Sequence, residues 1–231
     1  MTKKMTLEEF KETFLKIKNK GFVPTVRGGP TGIGHTLQEL LGLQEDNFAL
    51  PDISFAELKA HRIGSSSMVT LFTFNRKAWK MKPLEAVRKY GTPDKNNRLG
   101  LYFTMTRTPN STGLFLHTDK TAISVRHISG KIIAEWKLED LIRQFIKKIP
   151  AMILVSAFSE MRGDREWFHY CRAQFLTGTS KETLINQIMS DNVMVDLRLH
   201  DKGTMARNHG TGFRAHDDKL SLLFSEVRDI I

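Results

Sequence analysis

Cysteine is nearly absent from this chain, and long apolar runs are absent altogether. The single cysteine, Cys171, can form neither an intramolecular disulfide nor a multi-cysteine zinc site, which fits a reducing compartment. Because no run of about 18 apolar residues exists, the sequence predicts no membrane-spanning helix. The first ten residues, MTKKMTLEEF, lack the apolar stretch of a signal peptide. Together these absences predict a cytoplasmic location.

Acidic residues are fewer than basic ones, and aromatic residues form no continuous stripe. Aromatic residues make up 9% of the chain and form no stripe that could stack single-stranded bases, which favours a duplex. Asp and Glu total 25 against 35 Lys and Arg, for a formal charge of +10. Such an excess favours a polyanionic partner, because neutralising phosphates releases condensed counterions. A ribosomal-type or merely soluble basic protein remains the alternative.

The 231 residues, 40% of them hydrophobic, suffice for one large domain or two interlocked lobes. Apolar periodicity and turn residues predict a mixed α/β fold with long antiparallel stretches. Helices are expected at 7–20, from Thr36 to about 42, and at 83–90, 138–148, 180–190 and 217–229. Strands are expected at 53–60, 68–75, 99–106, 113–118, 122–128, 131–136, 151–158, 167–176 and 193–200. The polar segment 92–98 marks a lobe boundary, so the predicted lobes are 1–95 and 96–231.

The segment PDISFAELK, residues 51–59, carries the most informative pattern. Side chains alternate along a strand, so Glu57 and Lys59 should share one face while Leu58 takes the other. Asp52 stands at the entrance of this strand. Two carboxylates can hold a hard divalent cation such as Mg²⁺, and a nearby lysine can orient water or neutralise a phosphate oxygen. Taken alone, the pattern also suits a solvated strand edge.

Two glycine-rich segments accompany this motif. Residues 27–34, RGGPTGIG, predict a loop that can approach a phosphate closely, although no G-K-[ST] follows as in a P-loop. Residues 207–214, RNHGTGFR, combine basic residues, an asparagine and a histidine that can reach base edges or only grip phosphates. Asp196, Arg198 and His200 alternate on one face of the preceding strand, which is either a reading face or a solvated one.

These three blocks, in this order, resemble the MvaI/BcnI family of type II restriction endonucleases, relatives of the MutH mismatch-repair nickase. The resemblance runs from about Gly21 to the C-terminus. It implies a PD-(D/E)xK fold, restriction endonuclease-like and MutH-like, with a mixed sheet flanked by helices and two lobes around a DNA cleft. The lobe 1–95 would be catalytic and the lobe 96–231 would recognise DNA. The implied activity is Mg²⁺-dependent hydrolysis of duplex DNA at a CCNGG-like pseudopalindrome, leaving 5′-phosphate ends.

The resemblance also implies roles for particular residues. Asp52, Glu57 and the carbonyl of Leu58 would bind Mg²⁺, and Lys59 would position the attacking water or offset phosphoryl charge. Gln38 stands where the family has a glutamate, so the site either tolerates the lost charge or works more slowly. The implied DNA-binding residues are Arg27, Thr31, Gly32, His61, Arg62, Asp196, Arg198, His200, Arg207, Asn208, His209 and Arg214.

Three functions stay open at this point. A monomeric restriction endonuclease, with a DNA methyltransferase as its genetic partner, is the first. A strand-nicking mismatch-repair enzyme of the MutH type is the second. The third is a DNA-binding protein whose metal site is weakened, for which Gln38 is the main support.

Overall fold

The computed structural model describes residues 5–43, 53, 56–65, 68–73, 75 and 77–231. The helices there are α1 (Leu7–Asn19), α2 (Gly32–Leu40), α3 (Pro83–Tyr90), α4 (Leu138–Lys148), α5 (Lys181–Met189) and α6 (Asp217–Leu220). The strands are β1 (Val23–Pro24), β2 (Glu57–Arg62), β3 (Met68–Phe72), β4 (Thr92–Pro93), β5 (Leu99–Met105), β6 (Leu114–Thr118), β7 (Ala122–His127), β8 (Ile132–Lys137), β9 (Met152–Arg162), β10 (Arg165–Thr177), β11 (Met194–Asp201), β12 (Ala206–Asn208), β13 (Gly212–His216) and β14 (Glu226–Asp229). No helix of these residues is long and apolar enough to span a bilayer.

The chain divides into two compact units that are interleaved in sequence. Unit 1 comprises Met1–Val69, Ile146–Ser180 and Leu220–Ile231, and unit 2 comprises Thr70–Phe145 and Lys181–Lys219. Segment 92–98, the expected lobe boundary, lies inside unit 2, where β4 pairs with β5. The functional division into lobes 1–95 and 96–231 stays a prediction.

Unit 1 is built on a five-stranded sheet in the order β1-β10-β9-β2, with β14 also paired to β10. Strand β2 runs parallel to β9, and β9 runs antiparallel to β10. Helix α1 begins at a capping box, since the Glu9 amide donates to Thr6 Oγ1 and the Thr6 amide donates to the Glu9 carboxylate. The buried face of α1 packs in one core cluster with α2, β2, β9 and β10.

Helix α2 begins at Gly32, which is four residues earlier than the glycine content predicts. A side chain at Gly32 would collide with the carbonyl of Arg27, so glycine serves a close approach here rather than a flexible loop. The buried Tyr170 hydroxyl donates to the Ile33 carbonyl at 2.7 Å, and this burial raises the pKa of Tyr170. The first turn of α2 is therefore fixed to the sheet.

Unit 2 contains a sheet in the order β3-β13-β11-β5-β4, with β12 paired to β11, and a three-stranded sheet β6-β7-β8. Aromatic rings fill its core: Phe72 stacks on Phe213 at 4.9 Å between centroids, and Trp136 meets Phe213 edge-on at 5.3 Å. Ser129 and Gly130 form the turn between β7 and β8, where the Gly130 amide donates to the His127 carbonyl.

The expected closing helix over 217–229 is wrong. Helix α6 ends at Leu220, a 3-10 turn follows over Ser221–Leu223, and Phe224 is extended. Strand β14 then pairs with the end of β10, where it supplies hydrogen bonds to that backbone. Arg172 and Asp229 form two hydrogen bonds, of 2.7 and 3.0 Å, beside this pairing. Backbone pairing with β10 therefore prevails over the helical tendency that the apolar spacing of residues 217–229 indicates.

Candidate active site

Glu57 and Lys59 lie on one face of β2, as the strand alternation predicts. The Glu57 side chain is 2% exposed, and Lys59 Nζ lies 2.5 Å from its Oε1. Leu58 points into the core cluster on the opposite face. Strand β2 begins at Glu57 rather than at residue 53, because Ile53 and Ala56 form an isolated bridge just before it. The backbones of Ile53 and Ala56 exchange hydrogen bonds, and Glu57 follows directly.

A second lysine reaches Glu57 from a distant part of the chain. Lys148, the last residue of α4, places Nζ 2.9 Å from Glu57 Oε2. The Lys148 side chain is 18% exposed. No pattern in the sequence singles it out, because the last turn of a helix commonly carries basic residues and Lys147 is one position earlier. The buried carboxylate therefore faces two ammonium groups, of which the sequence predicts only one.

Asp52 and Gln38 are the other two residues that the sequence predicts to be catalytic. Asp52 lies outside the described residues. Gln38 lies on α2 and is half-buried, and its backbone carbonyl accepts from the Leu43 amide. Among the described parts of the chain, no cluster of three His, Cys, Asp or Glu side chains forms a metal site. The roles of Asp52 and Gln38 stay predictions.

Arg62 holds the glycine-rich loop in place. Its guanidinium donates to both carboxylate oxygens of Glu166, at 2.6 and 2.8 Å, and to the carbonyls of Gly29 and Pro30. It also lies over the ring of Phe168. These donors are bound to groups within the chain, and the phosphate contact expected for Arg62 stays a prediction. The contact with Glu166 could not be predicted from sequence, because Glu166 is distant along it.

The other residues of unit 1 that are expected to contact DNA are placed differently from Arg62. His61 Nε2 lies 2.9 Å from Ser156 Oγ. Arg27 is exposed at the start of the loop and donates to His35 Nε2 at 2.6 Å. Thr31 is exposed just before α2, whereas Gly32 is buried. Of these four residues, Arg27 and Thr31 are the ones that are exposed to solvent.

In unit 2, one buried carboxylate organises two arginines. Asp196 Oδ2 lies 2.7 Å from Arg198 Nε and 3.1 Å from Arg214 Nε, while its Oδ1 accepts from Thr104. Asp196 is fully buried, and the side chains of Arg198 and Arg214 are 40% and 20% exposed. Burial lowers the pKa of Arg214, and the charge of Asp196 opposes that shift. The geometry thus presents two oriented guanidinium groups at the surface of unit 2.

A histidine pair lies next to these arginines along β11. His200 and His209 stack with ring centroids 4.8 Å apart, and His209 Nε2 lies 2.8 Å from His200 Nδ1. His200 is buried and its Nδ1 also lies 3.2 Å from the Tyr102 hydroxyl, so it packs against His209 from within the fold; its expected contact with DNA stays a prediction. Partial desolvation of the imidazole, and then the charge of His200, lower the pKa of His209, although the residue as a whole is exposed.

The turn 208–211 is fixed from within. Asn208 Oδ1 accepts from the amides of Gly210 and Thr211, at 2.9 and 2.8 Å, so this oxygen shapes the turn, while the DNA contact expected for Asn208 stays a prediction. Arg207 and His209, the residues before and after Asn208, are exposed. The segment 207–214 is therefore a rigid turn that carries basic side chains.

Comparison with known proteins agrees with this architecture. The sequence model of the MvaI/BcnI restriction endonuclease family matches residues 11–224. The chain belongs to that family. The structure of restriction endonuclease MvaI with its cognate DNA substrate is similar, with a TM-score of 0.81 and 26% identity over 97% of this chain and 98% of that one. MvaI in the absence of DNA is also similar, with a TM-score of 0.53 and 25% identity over 100% of both chains. No curated protein matches.

Family membership confirms three expectations drawn from the motifs. The chain has the mixed α/β restriction endonuclease fold, with sheets flanked by helices. It is a type II restriction endonuclease and thus a site-specific deoxyribonuclease. Enzymes of this class use a divalent metal ion, for which carboxylate oxygens such as those of Glu57 are suitable ligands.

Proposed function

We propose that this endonuclease hydrolyses phosphodiester bonds of duplex DNA at a short CCNGG-like pseudopalindrome, uses Mg²⁺ and leaves 5′-phosphate ends. The observation that carries the proposal is the buried Glu57 carboxylate with Lys59 beside it at the start of β2. The likeness to MvaI in complex with cognate DNA supports duplex DNA as the substrate. The formal charge of +10 supports the same partner.

The donor atoms fit a hard divalent cation. Glu57 offers carboxylate oxygens, Leu58 a backbone carbonyl, and Asp52 would add a second carboxylate. A buried carboxylate is costly unless cations face it, and the two ammonium groups at Glu57 show that this position attracts positive charge. Bound Mg²⁺ would polarise the scissile phosphate and lower the pKa of a bound water. Lys59, with its ammonium on the same face, would orient the attacking water or stabilise developing phosphoryl charge.

Recognition is proposed to lie in unit 2. Arginine pairs bidentately with guanine, and the Asp196 carboxylate accepts a hydrogen bond from Arg198 and forms an ion pair with Arg214. The exposed Arg207 and His209 would contact phosphates or base edges around the turn. In unit 1, Arg27, Thr31 and His61 would contact the DNA backbone. One chain that presents two oriented arginines suits a monomer acting on a pseudopalindrome, with a methyltransferase protecting the same sites.

A plasmid digest tests this proposal. The purified chain, incubated with a mapped plasmid and Mg²⁺, should yield discrete linear fragments whose sequenced ends share one short motif and carry 5′-phosphates. Chelation of the metal should stop the reaction. Nicked circles alone would indicate a strand-nicking enzyme, and DNA binding without cleavage would indicate a weakened metal site. Either result would contradict the proposal.

A further inference from the structure

The carboxylate of Glu57 is divided between two lysines from different elements. Lys59 Nζ lies 2.5 Å from Oε1, and Lys148 Nζ lies 2.9 Å from Oε2. Lys59 comes from the same strand, where the alternation of side chains brings it to Glu57. Lys148 comes from the end of α4, immediately before the turn that leads into β9. Each oxygen of Glu57 therefore has its own cationic neighbour.

This arrangement places opposite charge at both oxygens of a buried acid. Glu57 is 2% exposed, so water solvates its carboxylate poorly. A carboxylate at such a position is costly to bury unless opposite charges face it. The ammonium of Lys148, itself only 18% exposed, supplies that charge at Oε2. It also fixes the direction in which the carboxylate points.

A divalent cation on Glu57 would meet Lys148 as a competitor. A metal that takes Oε2 as a ligand needs lone pairs that now face the ammonium group, and two cations at hydrogen-bond range repel each other in a poorly hydrated site. We propose that Lys148 is a positioning residue that stands in for the metal at Glu57 and gives up Oε2 when the divalent cation binds. This inference rests on the proposed role of Glu57 as a metal ligand.

Calorimetric titration of the DNA-free protein with Ca²⁺ tests the competition without any cleavage. Lys148→Met keeps much of the side-chain volume and removes the charge, so it should tighten the Ca²⁺ dissociation constant on the order of fivefold. It should also lower the melting temperature in chelator, and Ca²⁺ should restore much of that loss. Lys148→Arg should retain affinity close to the parent. Lys147→Met, one position earlier on the exposed side of α4, is the matched control and should change neither quantity.

A double-mutant cycle separates competition at Glu57 from a merely structural role. With Glu57→Gln as background, the charge that Lys148 faces is gone, so Lys148→Met should have little further effect on melting. An equal melting loss in both backgrounds would overturn the proposal. Unchanged or weaker Ca²⁺ binding by Lys148→Met would overturn it as well. If instead the parent protein and Glu57→Gln bind Ca²⁺ alike, the proposed metal role of Glu57 fails, which is a distinguishable result.

Discussion

Asp196→Asn tests how far one buried carboxylate controls recognition by this endonuclease. The substitution keeps the shape and the acceptor for Thr104 but removes the charge that faces Arg198 and Arg214. Removing one member of a fully buried ion pair costs about 3–5 kcal/mol, whereas an exposed pair contributes about 0–1 kcal/mol. Because Arg198 and Arg214 stay 40% and 20% exposed, water replaces part of the lost interaction. We expect a loss of about 1–3 kcal/mol in the free energy of unfolding.

The same substitution should reduce sequence discrimination. Each bidentate arginine–guanine pair contributes about 1–3 kcal/mol of discrimination, and it depends on a fixed guanidinium plane. Competition binding in Ca²⁺ should show a smaller difference in affinity between the cognate duplex and single-mismatch duplexes for Asp196→Asn than for the parent. Urea unfolding measures the stability effect.

The matched control is Asp229→Asn. Asp229 also binds an arginine, but Arg172 and Asp229 are 51% and 59% exposed. This variant should lose less than about 1 kcal/mol and keep its sequence discrimination. If Asp196→Asn proves as stable and as selective as the parent, the arginines do not depend on Asp196 and the reasoning is refuted.

Three further predictions concern other contacts. Tyr170→Phe removes the hydroxyl that donates to Ile33, so it should cost about 1–2 kcal/mol in urea unfolding and speed hydrogen exchange in α2. Gln38→Glu should lower the Mg²⁺ concentration needed for cleavage, measured by metal titration, if position 38 lies near the metal. His200→Asn should raise the pKa of His209 towards its usual value in an NMR titration, because burial and then His200 hold it down.

Each of these predictions has a contradicting outcome. Unchanged exchange in α2 would show that the Tyr170 hydroxyl does not fix that helix. An identical metal titration for Gln38→Glu would place that side chain beyond the influence of the cation. An unmoved His209 titration would leave partial desolvation and the cations Arg207, Arg98 and Lys202 as the causes. The lowered pKa of His209 also predicts how the free energy of unfolding depends on pH. As pH drops below about 6.5 the unfolded chain binds the proton before the folded chain does, so the free energy of unfolding should decrease.

Local signals predict much of the fold. The Thr6 and Glu9 capping box begins α1, and Pro83 with Gly91 brackets α3. The apolar run from Ala151 predicts the buried strand β9. Such signals act over a few residues, so they are visible in the sequence. They fail where tertiary contacts decide, as at Gly32, whose close approach to Arg27 starts α2 early, and in β14, which forms to pair with β10.

The same distinction applies to the site. Glu57 and Lys59 are two positions apart on a strand, so their common face follows from alternation alone. Lys148 and Glu166 reach the site through the packing of α4 and β10, and no local pattern reveals either contact. That second contact binds the Arg62 guanidinium within the chain.

The account depends most directly on Glu57 as the residue that makes cleavage possible. The measurement is cleavage of a single-site plasmid in Mg²⁺ by Glu57→Gln, beside its binding of the cognate duplex in Ca²⁺ and its urea unfolding. We predict that cleavage falls by at least about a hundredfold while folding and sequence discrimination persist. Cleavage at the parent rate by the folded variant would contradict the account.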